Sequence, residues 1–510
     1  MPNDPNVQED INFAWVNHHE NVRATVAKRL TIFNEHPSGS GTWVGMRATA
    51  ARIQAIIQNA LMAGVRLRAC GSRWSFSDIP VVAGGWILET QNIDWRFTIK
   101  PEFMERDSGV DHTTLILAQT GASIAQINQE LEVPTWRRAL RTSGASNGQT
   151  IGGSLGTGIH GSAIDVGGIE SQVAGIQLLT ATQNLWIERA SAPTLNSAFA
   201  AKLGATLVRD DAKFEAAIVS LGALGIVHAI LLKTTDRYLL NSSMSHIPVG
   251  QIATAMNTLN FAGSGIPDAT RRPYFFQTII DPHRPDMVYA TVRYEEVCPP
   301  NYVPDYKQVT GSEPGTDVPR MISTAIRTIP GIRDLIVSTL MSIELRVRAD
   351  TPDEYTSPGE QYTFTSAREG IASCGFAIPI AQVTRALGIA RVAFASHKSA
   401  PVVFTCRYVQ KSPGMLSFTR FDPSCVFDID GVDTDATHKL IKLVAQRFDE
   451  ARMPYTMHWG KTNHLTKARV RANFGGAVDR WNATRRLILP DAAERRMFSS
   501  PFLDGLGLNA

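Results

Sequence analysis

TSGASNGQTIGGSLGTGIHGS, residues 142–162, is the stretch on which the fold turns. From residue 144 to residue 168, nine of 25 positions are glycine, against an average usage of roughly 7%. Glycine at that density is costly to order, and it is justified where the backbone must take a positive φ or lie against a ligand. The stretch matches several short signatures, and context decides among them. Gly156, Gly158 and Gly161 spell G-x-G-x-x-G, but a Rossmann unit needs a strand before the motif and a helix after it, and here SAIDVGG follows. G-x-S-x-G occurs around Ser146 and again around Ser154, which makes a serine hydrolase the rival reading. A nucleophile elbow needs a strand running in and a helix running out, and neither match is followed by a helical pattern.

Upstream, TAARIQAIIQNALMAG from Thr49 sets Ile53, Ile56, Ile57, Ala60 and Leu61 on one helical face and stops at Gly64. In VRLRAC, Val65, Leu67 and Ala69 alternate with arginines as in a half-buried strand, which empties into GSRWSFSD. The pattern recurs as a strand from Leu115 to Ala118, a turn at Gly121 and a helix from Ser123 to Leu131. Downstream come a hairpin, VAGIQLLTATQNLWIERA, a short helix from Phe214 to Leu221 and the apolar strand GIVHAILL. Beyond about residue 245 the texture changes to YFFQTII, MVYATVRYEE, PVVFTCRYV and MLSFTRF, read as strands, with helices near 249–259 and 437–451. The stretch from Asn301 to Asp317 is rich in proline, glycine and polar residues and reads as a loop or insertion.

Bulk composition narrows the function. The 510 residues carry 50 basic and 47 acidic side chains, a net charge of +3 that is too balanced for a nucleic-acid-binding stripe. Cys70, Cys298, Cys374, Cys406 and Cys425 are odd in number and scattered, without a C-x-x-C pair, so neither a disulfide framework nor a structural zinc is expected. His18, His19, His458 and His464 also lack the spacing of a metal site. Gly460, Lys461 and Thr462 resemble the end of a phosphate loop, but Tyr455 stands where its first glycine is required. A basic N-terminal signal and long apolar runs are not seen, and a cytoplasmic enzyme without membrane insertion is expected. What stands is a pair of glycine- and serine-rich loops at strand ends, whose successive N–H groups suit a phosphate-bearing cofactor.

At these loops the sequence resembles the FAD-binding flavoproteins of the vanillyl-alcohol oxidase superfamily, within it the aldonolactone and alditol oxidase branch. GSRWS at 71–75 is similar to the first pyrophosphate loop except at one position, Thr150 to Gly161 matches the second throughout, and SLGALGIV from Ser220 to Val227 is similar to a third element. The E-x-R motif corresponds to Glu344 and Arg346, and H-W-G-K stands as His458 to Lys461. The resemblance implies an α+β fold with a two-part FAD-binding domain over residues 1–235. It further implies a substrate (cap) domain at 236–455, with an antiparallel sheet covered by helices, and a C-terminal segment at 456–510 returning to the active site.

It implies that FAD is bound by Cys70, Gly71, Ser72, Arg73, Trp74 and Ser75 of the first loop. In the second region the implied contacts are Ser143, Gly148, Thr150, Ile151, Gly152, Gly153, Gly156, Thr157, Gly158, His160 and Gly161. Gly225, Ile226, Val227, His458 and Lys461 complete the set. Glu344, Arg346 and Lys461 are the implied catalytic residues, because fixed cations favour a transition state in which negative charge grows on ring and substrate oxygen; a purely structural Glu344–Arg346 ion pair is the alternative. The implied partners are a small polyol, sugar lactone or other alcohol and dioxygen or another electron acceptor. Trp74 occupies the place of the histidine that many members link to the flavin, and indole offers no nucleophilic lone pair, so non-covalent FAD is expected. A flavin-binding protein without catalysis is a further reading.

Overall fold

The structure is a computed structural model that describes residues 4–36, 41–144, 146–306, 354–361 and 370–509. The apolar face read from Thr49 onward belongs to a helix, Trp43–Met62, that begins earlier because Thr42 caps it, accepting from the Gly45 N–H. It feeds the strand Leu67–Cys70. That strand lies parallel to Trp86–Asn92, which lies parallel to Arg23–Phe33, whose antiparallel neighbour Val7–Val16 completes a four-stranded sheet. The expected alternation fails at Arg68, which is 2% exposed rather than facing solvent. Carbonyls from three other segments converge on its guanidinium, so the charge is solvated by protein instead of water.

A six-stranded sheet follows, in the order Thr206–Arg209, Asn184–Glu188, Val173–Leu179, Ile226–Lys233, Leu115–Gln119, Arg96–Thr98. The hairpin read from VAGIQLLTATQNLWIERA is its Val173–Leu179 and Asn184–Glu188 pair. After Leu115–Gln119 the chain turns at Gly121 into Ile124–Leu131, held by a reciprocal Ser123–Gln126 capping box. The helix read from Phe214 to Leu221 is Asp211–Ala217 instead. Asp210 caps its start, and beyond its end Leu221 takes a left-handed φ of 53°. Ile151–Thr157 forms a short helix where no helical pattern was read. Glycine hides it in sequence, and only Ile151 and Leu155 supply buried apolar anchors.

The second half builds an eight-stranded sheet that is antiparallel throughout. Val249–Thr258, Val383–Ala395 and Asp435–Glu450 cover it, burying Ile252, Leu387, Leu440 and Phe448 with Phe276, Phe376 and Phe427 of the strands. MLSFTRF is not a strand. It is a turn region that buries Leu416 and Phe418, and the strand follows at Ser424–Val432. Trp459, Val470, Trp481 and Leu503 share one core with Leu30, Ile57, Ile116 and Leu178, so the end of the chain packs into the first half. Among the described residues, no helix is long and apolar enough to cross a membrane.

Candidate active site

A cleft opens where the strand Leu67–Cys70 ends. Its walls come from residues 68–76, 149–159, 220–227 and 458–461. Backbone proximity explains the glycines: a Cβ on Gly71 would fall 1.8 Å from the Thr150 hydroxyl, and one on Gly152 would fall 1.8 Å from that of Thr120. The first loop therefore lies directly on the second. Arg73 adopts φ +62°, where glycine is usually favoured, and is held there by its ion pair with buried Glu89 and by the His18 N–H bonding its carbonyl at 2.8 Å.

The first loop is also tied to the 458–461 segment. The Phe76 N–H donates to the Gly460 carbonyl at 2.8 Å, Ser75 Oγ to the same carbonyl at 3.2 Å, and Ser77 Oγ to the Trp459 carbonyl at 2.9 Å. Beside this junction Lys461 Nζ meets Asp428 Oδ1 at 2.6 Å, and Arg407 Nη1 meets Asp428 Oδ2 at 3.0 Å. Asp428 is fully buried. One carboxylate thus holds two cations, while Asp430, on the same strand and more exposed, accepts a 2.5 Å bond from Ser373. His458 Nδ1 accepts the Gly460 N–H at 3.0 Å, which leaves the ring proton on Nε2. Burial first, then Lys461, holds the pKa values of His458 and His160 well below the ordinary range, so both rings are neutral at neutral pH.

No protein-family model matches the chain. It is 26% identical over 227 residues to the D-arabinono-1,4-lactone oxidase of Yarrowia lipolytica, a match that covers 43% of this chain and 38% of that enzyme. It is 22% identical over 451 residues to the L-gulono-1,4-lactone dehydrogenase of Mycobacterium tuberculosis, covering 86% and 91% of the two chains. The cholesterol oxidase of B. sterolicum superposes with a TM-score of 0.69 at 15% identity, over 99% of this chain and 98% of that one. A solvent-stable cholesterol oxidase gives 0.70 at 15% identity. The fold is that of these two oxidases.

Most of the residues named from sequence share the cleft. Cys70, Gly71, Ser72, Arg73, Trp74, Ser75, Thr150, Gly152, Gly153, Gly156, Thr157, Gly225, Ile226, Val227, His458 and Lys461 line it. Six do not. Ile151 is core, Ser143 is buried against Asn128, and Gly158 ends the Ile151–Thr157 helix in the left-handed region at φ 70°. Gly148 lies against the Trp74 ring, Gly161 against Thr142, and His160 Nδ1 bonds its neighbour's carbonyl at 2.9 Å. Glu344 and Arg346 lie outside the described residues.

Sequence reading missed Arg68, Arg407 and Asp428. The signal was present in PVVFTCRYV and SCVFDIDGV, where charges interrupt otherwise apolar strands. PVVFTCRYV carries one such charge and SCVFDIDGV two, Asp428 and Asp430, and charges are retained in a buried strand only with partners. The residues fit a flavin dinucleotide: a cleft, close-packed glycine loops and a cation beside it.

A buried acid lies just behind the second loop. Glu170 contacts the positions of Gly158 and Gly168 and accepts from Ser417 at 2.8 Å, and burial raises its pKa from 4.5 to about 7. A raised pKa in the folded state means that its contribution is fully present below 4.5 and is lost as pH rises through about 7. Glu170→Gln is expected to remove that loss, on the order of 3 kcal/mol. Melting temperatures at pH 5 and pH 8 check it: the drop between the two should shrink in the variant, and an unchanged drop would place the effect elsewhere.

Proposed function

We propose that this chain is an FAD-dependent oxidoreductase that oxidises a CH–OH group of a small hydroxylated substrate, a polyol, sugar lactone or other alcohol. The observation that carries the reading is the union, in one cleft, of both glycine-rich loops and the His458–Lys461 segment, with a buried two-cation cluster beside it. Relatives named as lactone oxidases and a lactone dehydrogenase support it. The bound flavin would supply the hydride-accepting ring. Lys461 and Arg407, fixed by Asp428, stabilise the negative charge that develops as the C–H bond breaks. Neutral His458 presents Nε2–H as a donor. Asp430, the more exposed carboxylate of the cluster, would take the hydroxyl proton.

Motif resemblance assigns the arginine role to Arg346, and Arg407, which shares Asp428 with Lys461, is a second candidate. Comparing Arg346→Ala with Arg407→Ala separates them, because only the residue that faces the reacting centre should slow reduction without loss of FAD. A serine hydrolase is disfavoured by the placement of Ser154, which is 1% exposed and inside the Ile151–Thr157 helix rather than on an elbow. The purified chain should show flavin bands near roughly 370 and 450 nm that bleach anaerobically with substrate. A colourless protein after FAD addition would refute the reading, and a yellow one that no polyol, lactone or aromatic alcohol bleaches would mark a non-catalytic binder.

Attachment is a separate question. Trp74 lines the cleft, stacks on His18 at 4.2 Å with an interplanar angle of 8°, and has Gly148 on it so closely that a Cβ there would lie 2.5 Å from the ring. Its indole packs and cannot form the histidyl link. FAD should therefore be non-covalent: acid denaturation and centrifugation are expected to leave the colour in the supernatant, and a yellow pellet would contradict this.

A further inference from the structure

Three cations line the cleft: Arg68, Arg73 and Lys461. Two have a carboxylate partner within the protein, Arg73 in Glu89 and Lys461 in Asp428. Arg68 is different. All five of its N–H bonds end on main-chain carbonyls: Ile79 at 3.2 and 2.9 Å, Gly222 at 2.9 Å, Phe498 at 2.8 Å and Leu221 at 2.5 Å. Among the described residues, none of the ion pairs includes it. Carbonyl dipoles solvate a guanidinium but bring no counter-charge.

Its charged surroundings make the imbalance larger. Arg485, itself fully buried and bonded to the Ala223 carbonyl at 2.9 Å, repels it, as does Arg66, and Asp78 alone attracts it. Burial, then Arg485, lowers its pKa to about 10, so it stays cationic at neutral pH. The same guanidinium also shapes the loop it touches. Leu221 sits at φ +53° and Gly222 at φ +66°, where a Cβ would approach Nη2 to 3.0 Å. The cleft wall thus contains a buried positive charge that no ion pair among the described residues offsets.

We propose that Arg68 is the counter-charge for the anionic diphosphate of the cofactor, holding the phosphate-bearing half by its field as well as by shaping the 220–225 loop. This rests on FAD as the ligand. The test is FAD release on dilution of the purified full chain, with ADP and riboflavin as competitors, in wild type, Arg68→Lys and Arg68→Met. Arg68→Met should hold FAD about 10-fold more weakly and lose ADP competition by a similar factor, while riboflavin, which carries no phosphate, competes as before. Arg68→Lys, which keeps the charge and forfeits most of the carbonyl bonds, should retain most of the ADP competition. If Arg68→Met does not fold, Arg68→Gln, which also removes the charge but keeps a donor for the carbonyls, takes its place: selective loss of ADP competition supports the proposal, and equal loss of ADP and riboflavin overturns it. The proposal also falls if all three ligands weaken together in both variants, or if none weakens. A wild-type chain that binds no FAD sinks the cofactor reading and this proposal together, whereas wild-type binding with either failing pattern sinks only this one.

Discussion

Lys461→Met is expected to slow anaerobic flavin reduction by about 100-fold or more while FAD remains bound, because it removes a preorganised charge at the reacting centre. The side chain lines the cleft and is 14% exposed. Its ammonium is fixed by a 2.6 Å bond to a carboxylate that no water reaches, so the charge need not reorganise as the C–H bond breaks. The loss should fall on the limiting reduction rate more than on the substrate concentration giving half of it, which is the signature of an interaction made in the transition state. Lys461→Arg should rescue poorly, since a planar fork replaces a compact point charge. Rapid-mixing traces at several substrate concentrations provide the check. A wild-type limiting rate in Lys461→Met would remove this residue from the active site.

The contrast between what the sequence revealed and what it hid follows the physics of each signal. The Trp43–Met62 helix, the Val173–Glu188 hairpin and two of the three helices over the large sheet were legible because apolar periodicity records burial directly, whereas Val383–Ala395 went unread. The cleft was legible because its glycines mark backbone contact, as at Gly71 and Gly152. Ile151–Thr157 was not, since its helix rests on packing of two apolar residues rather than on propensity. MLSFTRF alternates as a strand does, yet its buried Leu416 and Phe418 anchor a turn whose Leu416 carbonyl accepts from Trp459 Nε1 at 2.7 Å. Arg407 and Asp428 escaped notice because their pairing is cross-strand: Asp428 lies opposite Thr405, two residues from Arg407, so no local spacing links the two charges.

That cross-strand pairing makes Asp428 the residue whose loss should cost the fold most. Asp428→Ala is expected to destabilise the protein by about 3–5 kcal/mol, since removing one member of a buried charged cluster leaves the others uncompensated. Two cations are stranded here: Lys461 is 14% exposed and Arg407 18% exposed. Arg407 keeps Gln277 Oε1 at 3.1 Å and a distant Asp430 at 3.9 Å, neither of which replaces a direct carboxylate contact. Asp428→Asn preserves the volume and one acceptor oxygen, so it should cost less in stability, yet it still removes the negative charge that fixes Lys461. The asparagine variant is therefore expected to fold, retain FAD and reduce slowly. A double-mutant cycle with Lys461→Met apportions the effect: adding Lys461→Met to Asp428→Ala should recover part of the lost stability, because the stranded ammonium goes with it. Chemical denaturation of the four proteins measures the coupling, and strictly additive losses would show that Asp428 and Lys461 do not act as a pair.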